Sequence, residues 1–248
     1  MTNSVGTGIA MTRFMPENNS YDAHARACSD DDLWGQVKRT VNGKPLPDAQ
    51  IAMIINRVST QLALDKSDTL LDLCCGNAAL STQWFRQCTQ GVGVDASPHL
   101  IEIANTRFAG DGRDRYIVSE ALSYLLSTPE NAGFTKAVCY GSLQYFSRER
   151  AGALLSALRE NLPTLQRVMI GNIPDRDRAA LFFNSDRADN VDLDSPLSPI
   201  GVWYSARAFS ELAEASGWHC EISMMPAEFH ASHYRFDALL SPMKRASQ

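Results

Sequence analysis

Two carboxylates, Asp72 inside one short apolar run and Asp95 at the end of the next, bracket the stretch where ligand chemistry is most expected. Thr69 to Leu73 is apolar apart from Asp72 and is bounded by Ser67 and Asp68, the pattern of a parallel strand covered on both faces. An acid inside such a strand is costly without a partner, so Asp72 is expected to have one. From Cys74 to Ala79 every side chain except Asn77 is small. The main chain can turn tightly there, and a ligand can lie against it most closely at Gly76. Leu80, Trp84 and Phe85 then recur on one side of a helix, and Gly91 to Asp95 reads as the next strand. The result is one βαβ unit. Asp95 ends it where a nucleotide-binding unit needs a carboxylate to accept hydrogen bonds from ribose hydroxyls.

The rest of the chain bounds what this unit can serve. At 248 residues, with 44% hydrophobic and 21% charged, it can bury one full core. The net charge of −5 and the lack of a basic block longer than Lys38-Arg39 argue against a nucleic-acid partner. Met1 to Gly35 lacks a basic start followed by an apolar stretch, and no run is long enough to span a bilayer, so a cytoplasmic protein without a membrane partner is expected. The six cysteines, at 28, 74, 75, 88, 139 and 220, form no C-x-x-C pair and no zinc-like spacing with the histidines. They read as reduced small hydrophobes, and no metal is expected.

Asp72-Leu-Cys-Cys-Gly-Asn-Ala78 followed by Asp95 resembles the first two motifs of class I S-adenosylmethionine-dependent methyltransferases, whose pattern is acid-x-Gly-x-Gly-x-Gly. Asp72 and Gly76 match, while Cys74 and Ala78 stand where glycines are usual, so the backbone there must avoid positive φ or accept strain. The resemblance covers residues 50 to 241. It implies S-adenosylmethionine as cofactor and transfer to a small molecule, by O- or N-methylation of the kind found in bacterial secondary metabolism, by a monomer or homodimer. A dinucleotide-binding oxidoreductase is the main competitor. Its G-x-G-x-x-G is absent, Cys74, Gly76 and Ala79 taking those places, and no tyrosine is followed four residues later by lysine. A cofactor-binding module without catalysis is a third reading.

The elements read in order as an α/β fold. Residues 1–47 read as an N-terminal lid or cap segment, polar and irregular to about residue 30, with turn or cap signals at Asn18-Asn-Ser20 and Ser29-Asp-Asp-Asp32. Within them Phe14, Tyr21, Trp34 and Val37 suggest a cap that folds over a site, or a helix packed on the sheet edge. Residues 48–248 form the methyltransferase domain. Asp48 is expected to cap a helix carrying Ile51, Ile54, Ile55, Val58 and Leu62. Ser97-Pro98 opens the helix after Asp95. Strands are expected at Tyr116–Val118, Phe134–Cys139, Arg167–Ile170, Trp218–Met224 and Tyr234–Leu240, with helices after Ser147 and over 205–216. The last two strands follow one another without a helix and read as antiparallel neighbours. The resemblance implies a doubly wound, mostly parallel seven-stranded sheet of order 3-2-1-4-5-7-6, with an N-terminal helical lid.

By resemblance, the cofactor is held by Asp72, Cys74, Gly76, Asn77 and Ala78 in the turn and by Asp95, Ala96, Ser97 and Leu100 after the second strand. Glu120 and Ala121 follow the third strand, with Glu120 facing the adenine amino group. Tyr140 and Gly141 follow the fourth. Tyr21 and Trp34 would close over the cofactor, where aromatic faces favour a sulfonium cation. The carboxyl ends of strands four, five and six would bring together Gln144, Asn172, Trp203 and His230 as substrate contacts. His233, Tyr140 and Asp175 are the candidate proton acceptors. Among the histidines, His233 is preferred because it directly precedes the last strand, and His24 is set aside as mobile.

Overall fold

The computed structural model describes residues 20–110, 112–183, 191–198 and 200–244. Phe14 and the signal at Asn18 and Asn19 lie outside the described residues.

Seven strands form one sheet: β1 (Thr69–Leu73), β2 (Gln90–Asp95), β3 (Asp114–Val118), β4 (Lys136–Tyr140), β5 (Arg167–Pro174), β6 (Trp218–Ser223) and β7 (Arg235–Pro242). Their order is β3-β2-β1-β4-β5-β7-β6. β1 to β5 run parallel, and β7 is antiparallel to both β5 and β6. This is the expected α/β sheet with its antiparallel closing hairpin. Alternation along the strands divides the core into two layers. Leu71, Leu73, Ala137 and Cys139 face helices α6 (Ala121–Ser127), α7 (Arg148–Asn161) and α8 (Ala206–Ala215). Leu70, Val138 and Tyr140 face α3 (Asp48–Leu62), α4 (Ser81–Phe85) and α5 (Pro98–Phe108). Asp72, between Leu71 and Leu73, points to this second layer.

Several local expectations change. Helix α3 begins after Pro47, with no side-chain cap, and Asp48 is its first residue, where its charge meets the positive end of the helix dipole. Helix α6 is an element the sequence reading leaves out. Tyr140 is the last residue of β4 rather than part of the loop after it. β5 does not stop at Ile170 but runs on to Pro174, because β7 supplies antiparallel partners for Ile173 and Pro174 beyond a bulge. Asn172 sits in that bulge with φ 63°, and such bulges re-aim side chains.

An ion pair fixes the bulge. Asp237 on β7, 1% exposed, accepts the Asn172 N–H at 2.8 Å through one carboxylate oxygen and the Arg57 Nε–H at 3.1 Å through the other. Arg57 also donates to Ser223 Oγ and the Met224 carbonyl, tying α3 to the β6–β7 hairpin. Removing one partner of such a pair leaves an uncompensated charge. Arg57→Ala is therefore expected to lower stability by about 3 kcal/mol, read as an earlier urea midpoint with an unchanged slope.

Candidate functional site

The turn from β1 into α4 accepts strain instead of avoiding it. Cys74, Gly76 and Ala78 have φ of 62°, 60° and 63°, and each of the two non-glycines costs roughly 1–2 kcal/mol there. A Cβ on Gly76 would lie 2.8 Å from Val37 Cγ1, so only glycine fits between the turn and the segment above it. Asp95 is aligned by two backbone donors, Gly76 N–H to Oδ2 and Ser97 N–H to Oδ1, both at 2.9 Å. Burial raises its pKa above the usual carboxylate value, although these bonds oppose the shift. Ser97 Oγ caps α5 by accepting the Leu100 N–H. Leu100 is fully buried, and Ala96 at the strand end is exposed.

Asp72 is 3% exposed, and its hydrogen bond comes from Ser81 Oγ at 2.5 Å. Burial pushes its pKa up to about 7, against the opposing influence of Ser81 and of Arg39. Relative to an ordinary aspartate at 3.8, the native state binds the extra proton between those values. The stability this gives is full below pH 3.8 and is lost as pH rises through about 7. Asp72→Asn keeps an acceptor for Ser81 and escapes that loss. The variant is expected to be more stable than the wild type at pH 8, by at most about 4 kcal/mol, with the gap closing toward pH 4 in melting experiments.

The segment before α3 covers this turn. Helix α1 (Ser20–Ala27) docks on the start of α5, where Asp22 Oδ1 accepts from Ser97 Oγ at 2.5 Å and from the His99 N–H at 3.3 Å. Helix α2 (Leu33–Gln36) is held by Asn77, whose Nδ2 donates to the Leu33 carbonyl and to Gln36 Oε1. Asn77 is thus committed to the cap and, through its Oδ1, to the Ala79 N–H. The Tyr21 hydroxyl donates to the Val37 carbonyl, and its ring lies 6.2 Å from that of Tyr145, within electrostatic reach of Asp95 and Cys74. Trp34 packs against the α3-side core. His24 is not loose, since its Nε2 lies 2.9 Å from the Gly35 carbonyl oxygen.

At the neighbouring strand ends a second group of polar atoms gathers. Arg39 donates to the Tyr140 carbonyl at 3.1 Å and lies over the Tyr140 ring. A Cβ on Gly141 would come within 3.3 Å of Asn172 Nδ2 and 3.4 Å of an Arg39 nitrogen, so Gly141, Asn172 and Arg39 share one small space. Arg235 donates to the Asn172 carbonyl at 2.5 Å. Tyr140 Oη, Asn172 Oδ1, Gln144 Oε1 and Trp203 Nε1 are buried with no protein partner. Gln144 Nε2 is spent on the Gly141 carbonyl. Burial raises the Tyr140 phenol well above 10, so it is a hydrogen-bond donor at neutral pH.

The candidate proton acceptors fare differently. Asp175 turns to the chain beyond β5, accepting the Asp177 N–H and lying 3.4 Å from Arg178 Nε, and burial raises its pKa. His233 is exposed and does not directly precede β7, because Tyr234 intervenes; its ring meets the Tyr234 ring. His230 contacts Gln50, and partial burial, Arg235 and Arg39 push its pKa down to about 4. Glu120 caps α6 through the Ser123 N–H and pairs with Arg150 at 2.8 Å, and Ala121 is in the core.

Sequence reasoning missed Arg39, Ser81, Arg57, Arg235 and Asp237. The argument that singles out Asp72 as a charge inside an apolar strand applies equally to Arg235 and Asp237, and it would have found them.

A family model described as a methyltransferase domain matches residues 70–163. An uncharacterized methyltransferase of Schizosaccharomyces pombe is 43% identical over 51 residues, which is 21% of this chain and 18% of that protein, so the match spans under a fifth of the curated relative. The magnesium protoporphyrin IX methyltransferase of Synechocystis with bound SAH is 12% identical, with a TM-score of 0.57, 78% of this chain and 82% of that one covered. The 1,6-didemethyltoxoflavin-N1-methyltransferase of Burkholderia thailandensis, solved with 1,6-didemethyltoxoflavin and S-adenosylhomocysteine, is 14% identical, with a TM-score of 0.56 and 79% of each chain covered. The chain has the class I S-adenosylmethionine-dependent methyltransferase fold, and residues 70–163 are the stretch that the methyltransferase-domain model matches.

Proposed function

We propose that the chain, as a methyltransferase of this class, moves the methyl group of S-adenosylmethionine to an oxygen or nitrogen of a small molecule, such as secondary metabolism supplies. The observation that carries this reading is Asp95, a carboxylate at the end of β2 aligned by two backbone N–H groups beside a left-handed turn. It retains lone pairs for two adjacent hydroxyls of a ribose. The cofactor's zwitterionic head also fits the chain. Asp72 is an acid whose ionisation is held back by burial, and Arg39 has no carboxylate among the described residues within 4.0 Å. An ammonium for Asp72 and a carboxylate for Arg39 complete both. When bound, the cofactor supplies an activated methyl group on sulfur.

The residues around Gly141 do the rest by placement. In an in-line displacement the acceptor's lone pair forms the new bond to carbon while the carbon–sulfur pair leaves with sulfur as a neutral sulfide. Holding the two reactants aligned carries most of the acceleration. Tyr140 and Asn172 offer a buried donor and a buried acceptor to orient the acceptor group. Any proton it loses passes to solvent or to His233 of the 226–234 loop.

The test is calorimetry with S-adenosylhomocysteine, followed by incubation with labelled S-adenosylmethionine and the small-molecule fraction of a cell extract. Saturable binding and label in a low-mass product are expected. Absence of binding removes the reading; binding without any labelled product turns it into a cofactor-binding module.

A further inference from the structure

Two arginines reach the space around Gly141 and Asn172, and the cofactor proposed above brings one carboxylate. Arg39 lies on the cofactor side, over Tyr140 and within electrostatic reach of Asp72. Arg235 lies beyond it. Only 7% exposed, it donates to the Asn172 carbonyl and stands 5.0 Å over the Tyr234 ring, with no carboxylate of the described residues within 4.0 Å. The acid two residues along the same strand, Asp237, is already taken by Arg57 and the Asn172 N–H. A guanidinium removed from water is costly without an anion, and its planar fork suits a carboxylate or phosphate.

Next to this cation is an aromatic wall. Tyr234 lies 4.6 Å from Phe182 and 6.0 Å from Trp203, centroid to centroid, and Phe183 lies 5.5 Å from Trp203. Phe182 is 38% exposed, which leaves apolar surface open beside a buried charge. Trp203 Nε1 there has no protein partner.

Building on the methyltransferase reading, we infer that the methyl acceptor is a small aromatic acid, its carboxylate or phosphate bound by Arg235 and its ring laid against Phe182, Trp203 and Tyr234. The anion is the anchor. The nucleophile is a different oxygen or nitrogen of the same molecule, presented toward Asn172 and Tyr140. Such a site rejects neutral isosteres, because they leave Arg235 buried without a counter-charge.

Benzoate, phenyl phosphate and the neutral benzamide, titrated into the whole chain by calorimetry with and without saturating S-adenosylhomocysteine, test this. One of the two anions is expected to bind between about 10- and 100-fold more tightly than benzamide, the size of one charge-assisted, two-point contact. Which anion wins tells carboxylate from phosphate. Arg235→Gln should erase the preference and Arg235→Lys should keep part of it, both with unchanged affinity for S-adenosylhomocysteine. Equal binding of benzamide and both anions by the wild type overturns the inference, as does a preference that survives in a folded Arg235→Gln protein. If neither variant folds, the wild-type comparison decides. Failure of the cofactor to bind shows in its own titration and counts against the methyltransferase reading, while the cofactor-free arm still reads the anion site.

Discussion

Replacing Asp95 with alanine is expected to weaken S-adenosylhomocysteine binding by about two to four orders of magnitude while the protein stays folded. Each hydrogen bond between a ribose hydroxyl and an ionised, desolvated carboxylate contributes about 1.5–3 kcal/mol, and the geometry allows two. Folding should be spared for a separate reason. Asp95 is partly buried with a raised pKa, so its removal relieves a desolvation cost that offsets the loss of its bonds from Gly76 and Ser97. Calorimetry gives the affinity and thermal melting the stability. Affinity within threefold of wild type would remove the ribose role from Asp95.

Deleting residues 1–35 is expected to abolish methyl transfer, with turnover reduced by at least about a hundredfold, as for the loss of a closing element that completes a site. The deletion removes Tyr21, Asp22 and Trp34, and with them the bonds to Ser97 and His99 and the α2 carbonyl that Asn77 holds. The two core layers on β1 to β7 are built mostly from residues after 45, so cooperative unfolding should persist. Single-turnover assays with labelled cofactor measure the effect, with far-ultraviolet circular dichroism as the fold control. Full turnover by the truncated protein would show that the segment is packing and not a lid.

How much of this was readable in advance follows from whether the signal is local. Asp72, Gly76 and Asp95 stand in one strand-turn-helix-strand stretch, where apolar runs, small residues and a following helix all point to the same backbone. The sheet order came from the resemblance, with the closing hairpin betrayed by the missing helix between 224 and 234. Arg39 was invisible because a lone arginine in a polar stretch has no periodicity, and its partner Tyr140 lies far along the chain. The Asn172 bulge depends on β7, whose pairing no pattern inside β5 reports. Glu120 reads as a ligand contact because a strand-end acid is ambiguous. Its bond to the Ser123 N–H is a capping pattern that short-range reading could have weighed. The preference for His233 rests on a strand boundary that lies one residue later than expected.

The position of β7 also bears on how the protein is made. This strand, late in sequence, lies between β5 and β6 in the interior of the sheet. During synthesis β1 to β5 and their helices can therefore assemble around the Asp72–Asp95 turn while β5 still presents an unpaired edge from Val168 to Pro174. An open, apolar edge of this kind is a template for pairing with other nascent chains. Until Asp237 arrives, Asn172 lacks the acceptor for its N–H, and Arg235 is not yet in place. The half of the molecule that carries the Asp72–Asp95 turn can thus mature on the ribosome before the half that carries Arg235 and Asp237 exists, and the ribosome-bound chain is most exposed to aggregation in that interval.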